Sequence, residues 1–411
     1  MPFLNVNEVD VENKRVFVRV GMDISVDSEG NIIDDQRIVS CIPTIQHLID
    51  RNAKIILLMH IGRPKGVEKH LTTDNVAKRL SRMLFRPIEK LDACTGDEVQ
   101  KKVEQMKPGD IIFLENVRFH DGETKNEDAF VQELAALGDV YVNECFSVSH
   151  REHASMVGVP KYMLSCGGLC LRREIDMLKK IMKEPEKPFV ALLGGVKGDK
   201  INALKNLITK ADKILIGGGL AFLFLKLRGF SIGRSKVDAE WLSEAVRDEI
   251  LELALNEKIV LPVDVIAAKE PTGHAEETIM DTRKIHSDFM GLDIGPRTIE
   301  LYKQILAGAK TVIWAGPMGL FEIEKYEKGT REMARYLGEL SEQGVTTVIG
   351  GGESAFAVEK FKVIDKMTHV STGGGAFLAF VANESLPAID VLTQSKTKAI
   401  NNQPPALEVK Q

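Results

Sequence analysis

Apolar runs rich in Val, Ile and Leu alternate with amphipathic stretches along almost the whole chain, and the way those runs end changes halfway. Strand-like runs separated by helical stretches read as repeated βα units built around parallel sheets, an α/β fold. In open sheets of this kind ligands bind beyond the carboxyl ends of the strands. In the first half the runs end in cationic side chains: KRVFVRV near Arg19, AKIILLMHIGRP at His60 and Arg63, DIIFLENVRF at Arg118, and DVYVNECFSVSHREH at His150 and Arg151. In the second half they end in glycine: PFVALLGG, KILIGGG, TVIWAGPMG, TTVIGGG and THVSTGGG. One half thus offers side-chain cations where a ligand binds, and the other offers bare backbone N–H groups. That pairing suits a small anion on one side and the phosphates of a nucleotide on the other.

A chain of 411 residues exceeds what one hydrophobic core usually serves, since single cores stop growing at about 250–300 residues. LCLRREIDMLKKIMKEPEKP, residues 169–188, reads as a charged amphipathic helix stopped by Pro185 and Pro188, a natural joint between two domains. The expected division is residues 1–170, a hinge helix over 171–186 and a second domain over 187–387. The tail 388–411 is a candidate to pack back on the first domain. Further helices are expected around Ile42–Arg51, Thr73–Leu84, Glu127–Leu137, Lys200–Ala211 and Gly329–Gln343, and one running from Asp238 through Ala239–Asn256.

The net charge of −5 argues against a nucleic-acid-binding surface, so any anion site must come from local clustering of Arg and His. The longest apolar stretch, ILIGGGLAFLFLKL, is too short to span a bilayer, which takes about 20 residues. Five cysteines without framework spacing, behind a polar and acidic start, point to buried reduced thiols and a cytoplasmic protein.

Two clusters could carry chemistry. Arg37, His60, Arg63, Arg118, His150 and Arg151 would repel one another if gathered unpaired, so an anionic ligand is the economical explanation for them. Arg in particular presents a planar fork that matches carboxylate and phosphate oxygens. The second cluster is the glycine set: Gly194 and Gly195, Gly217 to Gly219, Gly316 and Gly319, Gly350 to Gly352, and Gly373 to Gly375. Glycine after a strand lets backbone approach a phosphate, and the following helix N-terminus favours negative charge. Lys197 and Lys200 in GGVKGDK stand where they could neutralise β- and γ-phosphates. No G-x-x-x-x-G-K-[ST] is present, which excludes a P-loop enzyme, and no strand leads into G-x-G-x-x-G.

HIGRP (60–64), ENVRF (115–119), HREHAS (150–155), KPFVALLGG (187–195), GLDIGP (291–296), WAGPMGLFE (314–322) and HVSTGGGA (369–376) occur in one order across nearly the entire chain. With these segments the sequence resembles the phosphoglycerate kinase family. The resemblance implies two doubly wound parallel-sheet, Rossmann-like domains joined by a hinge helix. It implies reversible phosphoryl transfer between 1,3-bisphosphoglycerate and ADP, giving 3-phosphoglycerate and ATP, with Mg2+ carried by the nucleotide. The N-terminal domain would bind phosphoglycerate through Gly21, Asp23, Arg37, His60, Ile61, Gly62, Arg63, Arg118, His150 and Arg151. The C-terminal domain would bind ATP or ADP through Gly195, Lys197, Lys200, Gly217, Gly218, Gly219, Pro317, Glu322, Gly351, Gly352, Glu353 and Ser354. Arg37, Lys200 and the Gly373, Gly374 and Gly375 backbone would meet the phosphoryl group in flight, and Glu353 would hold the metal. Glu174 and His369 match a pair that couples the domains, and the chain would act as a monomer or homodimer without nucleic-acid or membrane partners.

The match also departs from the family in places. Where the family reads Asp-Phe-Asn after the first strand, this chain reads VRVGMDIS. An ungapped register puts Gly21, Met22 and Asp23 in that triad, and a slide by two gives the polar roles to Asp23 and Ser25. Ala315 stands for an Asn, Glu353 for an Asp, Glu144 and Cys145 for Asp and Ala, and GGVKGDK is one residue short. These changes leave two alternatives open: a diverged copy, or a related phosphotransferase of reduced activity. A nicotinamide-dependent oxidoreductase is a further alternative, weakened by the missing fingerprint.

Overall fold

The computed structural model describes residues 3–196, 200–238 and 243–401. The chain divides into two compact units, one of Met1–Asp176 with Ser385–Gln411 and one of Met177–Glu384.

In the first unit β1 (Arg15–Val20), β2 (Lys54–Leu58), β3 (Glu89–Lys90), β4 (Ile111–Phe113), β5 (Val140–Glu144) and β6 (Leu164–Gly167) form one sheet in the order β3-β4-β2-β1-β5-β6. Every pairing is parallel, with Val18 opposite Leu57 on one side and Val142 on the other. Helices cover both faces of such a sheet, so its strands are continuous apolar runs rather than alternating ones. β1 and β5 fit this, with Val16, Phe17, Val18, Tyr141 and Val142 all buried. The order reverses at β1, so the gap between the ends of β1 and β5 is the topological switch point where ligands bind.

Gln36–Asp50 is a single helix that begins six residues before the expected Ile42 and carries Pro43 inside it. A proline in a helix interior removes one backbone donor, which is why the sequence suggests a later start. Leu169–Lys183 is the expected helix, and the division between the units, Asp176 to Met177, falls within it. The helix Pro387–Asn401 lies on the first unit: Ala388 and Val391 join the buried cluster of Cys145, Val148, Met156 and Val157, and the Ser165 N–H donates to Ser395 Oγ at 3.0 Å.

In the second unit β7 (Phe189–Leu193), β8 (Lys213–Ile216), β10 (Ile259–Val260), β15 (Thr311–Ala315), β16 (Thr346–Gly350) and β17 (His369–Val370) form a second all-parallel sheet, in the order β10-β8-β7-β15-β16-β17. Here the order reverses between β7 and β15. A small antiparallel sheet of β11 (Asp264–Ala268), β12 (Glu277–Asp281) and β14 (Met290–Ile294) and a pair of β9 (Ser231–Ile232) with β13 (Lys284–Ile285) complete the unit. The helix expected from Asp238 is observed over Glu244–Leu255, and residues 239–242 lie outside the described part.

Candidate active site

At the first switch point β1 runs into Gly21, Met22 and Asp23. The Gly21 N–H donates to the Glu144 carbonyl at 3.1 Å, which prolongs the β1–β5 pairing by one residue. A Cβ at residue 21 would stand 3.0 Å from that carbonyl oxygen, so the close approach favours glycine. Met22 is fully buried, Asp23 faces the site and Ser25 is exposed. Asp23 is thus the polar side chain of this segment that the fold turns toward His60 and Arg37, with Met22 in the core and Ser25 at the surface.

Asp23 gathers the neighbouring elements. Its Oδ1 accepts the Gly62 N–H at 3.2 Å, its carbonyl accepts Arg37 Nη1 at 2.8 Å, and its Oδ2 lies 3.2 Å from His60 Nε2. Burial alone would raise the Asp23 carboxyl, but contact with His60, the charge of Arg37 and the Gly62 N–H hold it well below the usual carboxylate range. Arg19 in β1, fully buried, places Nη2 2.8 Å from His60 Nδ1, Nε on Ser155 Oγ at 2.9 Å and Nη1 on the Val20 carbonyl at 2.7 Å. A guanidinium only donates, so Nδ1 accepts and the ring proton sits on Nε2, toward Asp23. Burial brings His60 down to about 4, with Asp23 pulling it up and Arg19 and Arg118 pushing it further down. The imidazole is thus neutral at physiological pH, with its tautomer set by Arg19.

Arg118 donates to the Gly62 carbonyl at 2.6 Å, and burial together with the charges of Arg19 and Arg151 lowers it to about 10. Burial, Arg151 and His153 bring His150 to about 4. His150 Nδ1 and Arg151 Nε are buried without a hydrogen-bond partner. Glu123 compensates part of this charge from below. It is fully buried, accepts Ser155 N–H at 2.8 Å and Ser155 hydroxyl at 2.7 Å, and lies 3.6 Å from His153. Ile61 is buried, and Asn116 holds both sides of its backbone, accepting its N–H at 3.3 Å and donating Nδ2 to its carbonyl at 2.9 Å. Arg63 follows Gly62 as an exposed side chain. A guanidinium, Arg118, whose pKa is lowered by burial and by its cationic neighbours, together with a buried Arg151 N–H that has no acceptor, is the electrostatic signature of a site that binds an anion.

At the second switch point two glycine turns interlock. The Gly194 N–H donates to the Ala315 carbonyl at 2.9 Å and the Gly195 N–H to the Pro317 carbonyl at 2.8 Å. A Cβ at Gly194 would stand 2.1 Å from the Pro317 oxygen, and Gly316 has φ +92°. These two positions therefore require glycine for packing as well as for any ligand. Ser354, buried, accepts the Gly316 N–H at 2.6 Å, so its hydroxyl holds the turn.

A cavity of about 840 Å³ opens beside this turn. Of the expected residues, Gly195, Gly218, Gly219, Pro317, Glu322 and Glu353 line it. Its other walls are largely apolar, including Phe222, Met290 and Leu292, as a base-binding slot requires. Lys200, buried as the first residue of the helix Lys200–Lys210, lies beside the same turn: a Cβ at Gly195 would stand 3.3 Å from its Nζ and 3.4 Å from Glu353 Oε2. Gly217, Gly351 and Gly352 are at helix starts and do not line the cavity, and Gly373, Gly374 and Gly375 lead into the helix Gly375–Val381. Lys197 lies outside the described residues.

Two lining groups escape the strand-end rule. Lys236 and Asp293 both face the cavity. Asp293, fully buried, is pushed up to about 8 by burial, against the Gly329 and Ile294 N–H groups that donate to it at 2.6 and 2.9 Å. GLDIGP carries it, but a carboxyl inside an apolar strand gives no sign in the sequence of the glycines packed upon it.

The phosphoglycerate kinase family model matches residues 6–384. A phosphoglycerate kinase of Thermosynechococcus vestitus is 45% identical over 385 residues, covering 93% of this chain and 96% of its own, and one of Dictyoglomus turgidum is 44% identical over 392 residues, covering 95% and 98%. The solved phosphoglycerate kinase of Coxiella burnetii superposes with a TM-score of 0.83 at 37% identity, over 96% of this chain and 100% of its own. That of Pyrococcus horikoshii OT3 does so with 0.84 at 30% identity, over the same shares. With its two six-stranded parallel sheets and these relatives, the chain belongs to the phosphoglycerate kinase family, phosphotransferases with a carboxyl group as acceptor.

Proposed function

We propose that this chain interconverts 1,3-bisphosphoglycerate and ADP with 3-phosphoglycerate and ATP, the first unit holding the phosphoglycerate and the second the nucleotide. The observation that carries this reading is the contrast between the two switch points, with clustered Arg and His side chains and an unpartnered buried Arg151 N–H at one and interlocked glycine turns beside an apolar cavity at the other. Asp23, Gly21, His60, Ile61, Gly62, Arg63, Arg118, His150 and Arg151 would hold the glycerate and its terminal phosphate, with Arg37 nearest the reacting end. Gly217, Gly218 and Gly219 would flank the base and Glu322 would meet the ribose. Gly195, Lys197, Lys200, Pro317, Gly351, Gly352 and the Gly373–Gly375 backbone would meet the phosphates.

In the direction of ATP formation the bond between phosphorus and the acyl oxygen breaks, a β-phosphate oxygen of ADP bonds to phosphorus, and the carboxylate leaves with the electron pair. Such transfer needs alignment and stabilisation of charge on the moving group rather than covalent help. Arg37 and Lys200 would supply that charge from opposite sides. An acyl phosphate also hydrolyses in an open, wet site, so we infer that the units close about the helix Leu169–Lys183 to exclude water, with Glu174 and His369 as a coupling pair. The described residues contain no group of three or more His, Cys, Asp or Glu that could cage a metal. A hard carboxylate beside the phosphate-facing turn, Glu353, fits Mg2+, which is typically held by one or two carboxylates plus substrate phosphates. There it would neutralise phosphate charge. All five cysteines are unpaired and no described helix is long and apolar enough to cross a membrane, which supports a cytoplasmic setting.

A coupled assay with 3-phosphoglycerate, ATP and Mg2+ tests the reading. Turnover is expected at about 10 s−1 or more, a typical enzyme rate, and binding of both ligands without turnover would overturn it. Glu353→Gln is expected to raise the Mg2+ concentration for half-maximal rate about tenfold, leaving binding of metal-free ADP within about twofold. An unchanged Mg2+ dependence would remove Glu353 from the metal role.

A further inference from the structure

We infer that Glu144 and Thr44 form a positioning pair that ties the phosphoglycerate end of the first unit to the helix Leu169–Lys183, and that through this pair ligand binding at Arg37 and Asp23 is felt by the helix that continues into the second unit. The inference rests on the function proposed above and assigns a role to two residues outside the proposed ligand contacts.

Glu144 is the last residue of β5 and only 2% exposed. Its two ends do different things. Its carbonyl accepts the N–H of Gly21, two residues before Asp23. Its carboxylate closes the start of the helix Leu169–Lys183: Oε1 accepts the Cys170 N–H at 3.0 Å and Oε2 the Leu171 N–H at 3.1 Å. The first N–H groups of a helix lack partners within it, and negative charge there is favoured by the helix dipole. Thr44 completes the arrangement, donating its hydroxyl to Glu144 Oε1 and accepting the Leu169 N–H at 2.8 Å. The fit is close: a Cβ at Gly168 would stand 2.1 Å from Glu144 Oε2.

Thr44 lies seven residues after Arg37 on the helix Gln36–Asp50, two turns along the same face. Arg37 in turn donates to the Asp23 carbonyl. A ligand that draws on Arg37 and Asp23 therefore pulls on both supports of the cap, one through this helix and one through Gly21. Because buried packing is stiff, small shifts are passed on rather than absorbed.

The cap is complete only when Glu144 is ionised, because a protonated carboxyl turns one acceptor into a donor facing N–H groups. Burial raises Glu144 to about 7, against the Thr44 hydroxyl and the Cys170 and Leu171 N–H groups, with Glu174 on the same helix pushing upward. The other titratable neighbours are Cys41 on the helix of Thr44, Cys166 on β6 and Cys170, thiols that burial and Glu144 itself push up, so they stay neutral. The cap's acceptors are therefore complete only as pH rises through about 7, at a net cost to the fold because burial favours the protonated form.

The test compares the full-length wild type with Glu144→Gln, Glu144→Asp and Thr44→Val by steady-state kinetics, by calorimetry with 3-phosphoglycerate and with ADP, and by small-angle scattering with both ligands. Glu144→Gln and Thr44→Val are each expected to lower kcat about tenfold while leaving both dissociation constants within about twofold, and to reduce the ligand-induced compaction. The double variant should be no worse than either single one, as for two members of one unit. Glu144→Asp should keep most of the activity, and the wild-type compaction should grow between about pH 6 and 8 while that of Glu144→Gln stays flat. If the variants melt earlier but keep wild-type kcat per folded molecule and full compaction, the pair is only a helix cap and the coupling is wrong. Should Glu144→Gln fail to fold, Thr44→Val gives the same readouts. A wild type that neither turns over nor binds 3-phosphoglycerate would sink the underlying function instead.

Discussion

Arg37→Ala is expected to lower kcat about 1,000-fold while changing the dissociation constant of ADP less than about threefold. Arg37 is the second residue of its helix and its side chain remains 27% exposed, so its removal leaves no cavity in the core. Its Nη1 donates to the Asp23 carbonyl and lies 4.0 Å from Asp23 Oδ2, which aims the guanidinium across the mouth of the cationic cluster. Losing one such contact at a partly exposed site costs about 1 kcal/mol of stability or less. The catalytic cost is larger because the charge acts on oxygens that become more negative only as the phosphoryl group moves, an effect that appears in kcat rather than in ground-state binding. Arg37→Lys should recover only part of the rate, since an ammonium offers a point charge where a fork is needed. Stopped-flow kinetics with 3-phosphoglycerate and ATP, alongside calorimetry with ADP, separates the two quantities. Equal losses in kcat and in ADP affinity, or neither, would take Arg37 out of the phosphoryl-transfer role.

Strand endings are legible in a sequence because parallel strands buried on both faces are uninterrupted apolar runs, so the first polar residue or glycine marks the edge where a ligand sits. That logic picks out His60, Arg63, Arg118, His150, Gly195 and Gly316 without any structure. It fails for groups that sit inside the runs or behind them. Arg19 looks like the charged end of KRVFVRV, yet it lies within β1 with no exposure, reaching across to His60 just beyond β2. Glu144 reads as a replaced family residue, but its partners come from residues 44 and 170–171, a closeness set by tertiary packing alone. The start of the helix at Gln36 is hidden for a similar reason. Pro43 breaks its local pattern, while buried Ile38, Cys41, Ile45 and Leu48 hold it in place. Packing also explains the segment after β1: the core accepts Met22, and Gly21 must pass close to the Glu144 carbonyl.

Arg19→Met should reveal how much of the phosphoglycerate end depends on one buried cation. The substitution nearly keeps the volume but removes every donor, leaving His60 Nδ1, Ser155 Oγ and the Val20 carbonyl without the partner they have now. It also withdraws one of the charges that keeps buried Glu123 below its ordinary pKa. Breaking a buried ionic network from one side costs about 3–5 kcal/mol, so amide exchange in β1 and β2 should accelerate about 100-fold or more. The effect on His60 has a definite sign. Its folded pKa of about 4 lies below the ordinary imidazole value of 6.5, so the unfolded chain binds the proton more tightly. The stability this group contributes is present above about pH 6.5 and is lost as pH falls toward 4. Arg19 pushes His60 in the same direction as burial does, and Asp23 pulls the other way. Without Arg19 the imidazole should titrate at higher pH, and the acid-side loss should become shallower even though the protein is weaker throughout. The proton would also lose its fixed seat on Nε2, and with it the orientation of the donor facing Asp23, so the KM for 3-phosphoglycerate should rise. NMR titration of His60 beside exchange measurements at pH 5 and 7 decides the matter. A variant that keeps wild-type protection, and whose His60 titrates where the wild type's does, would show that Asp23 and burial hold the imidazole without Arg19.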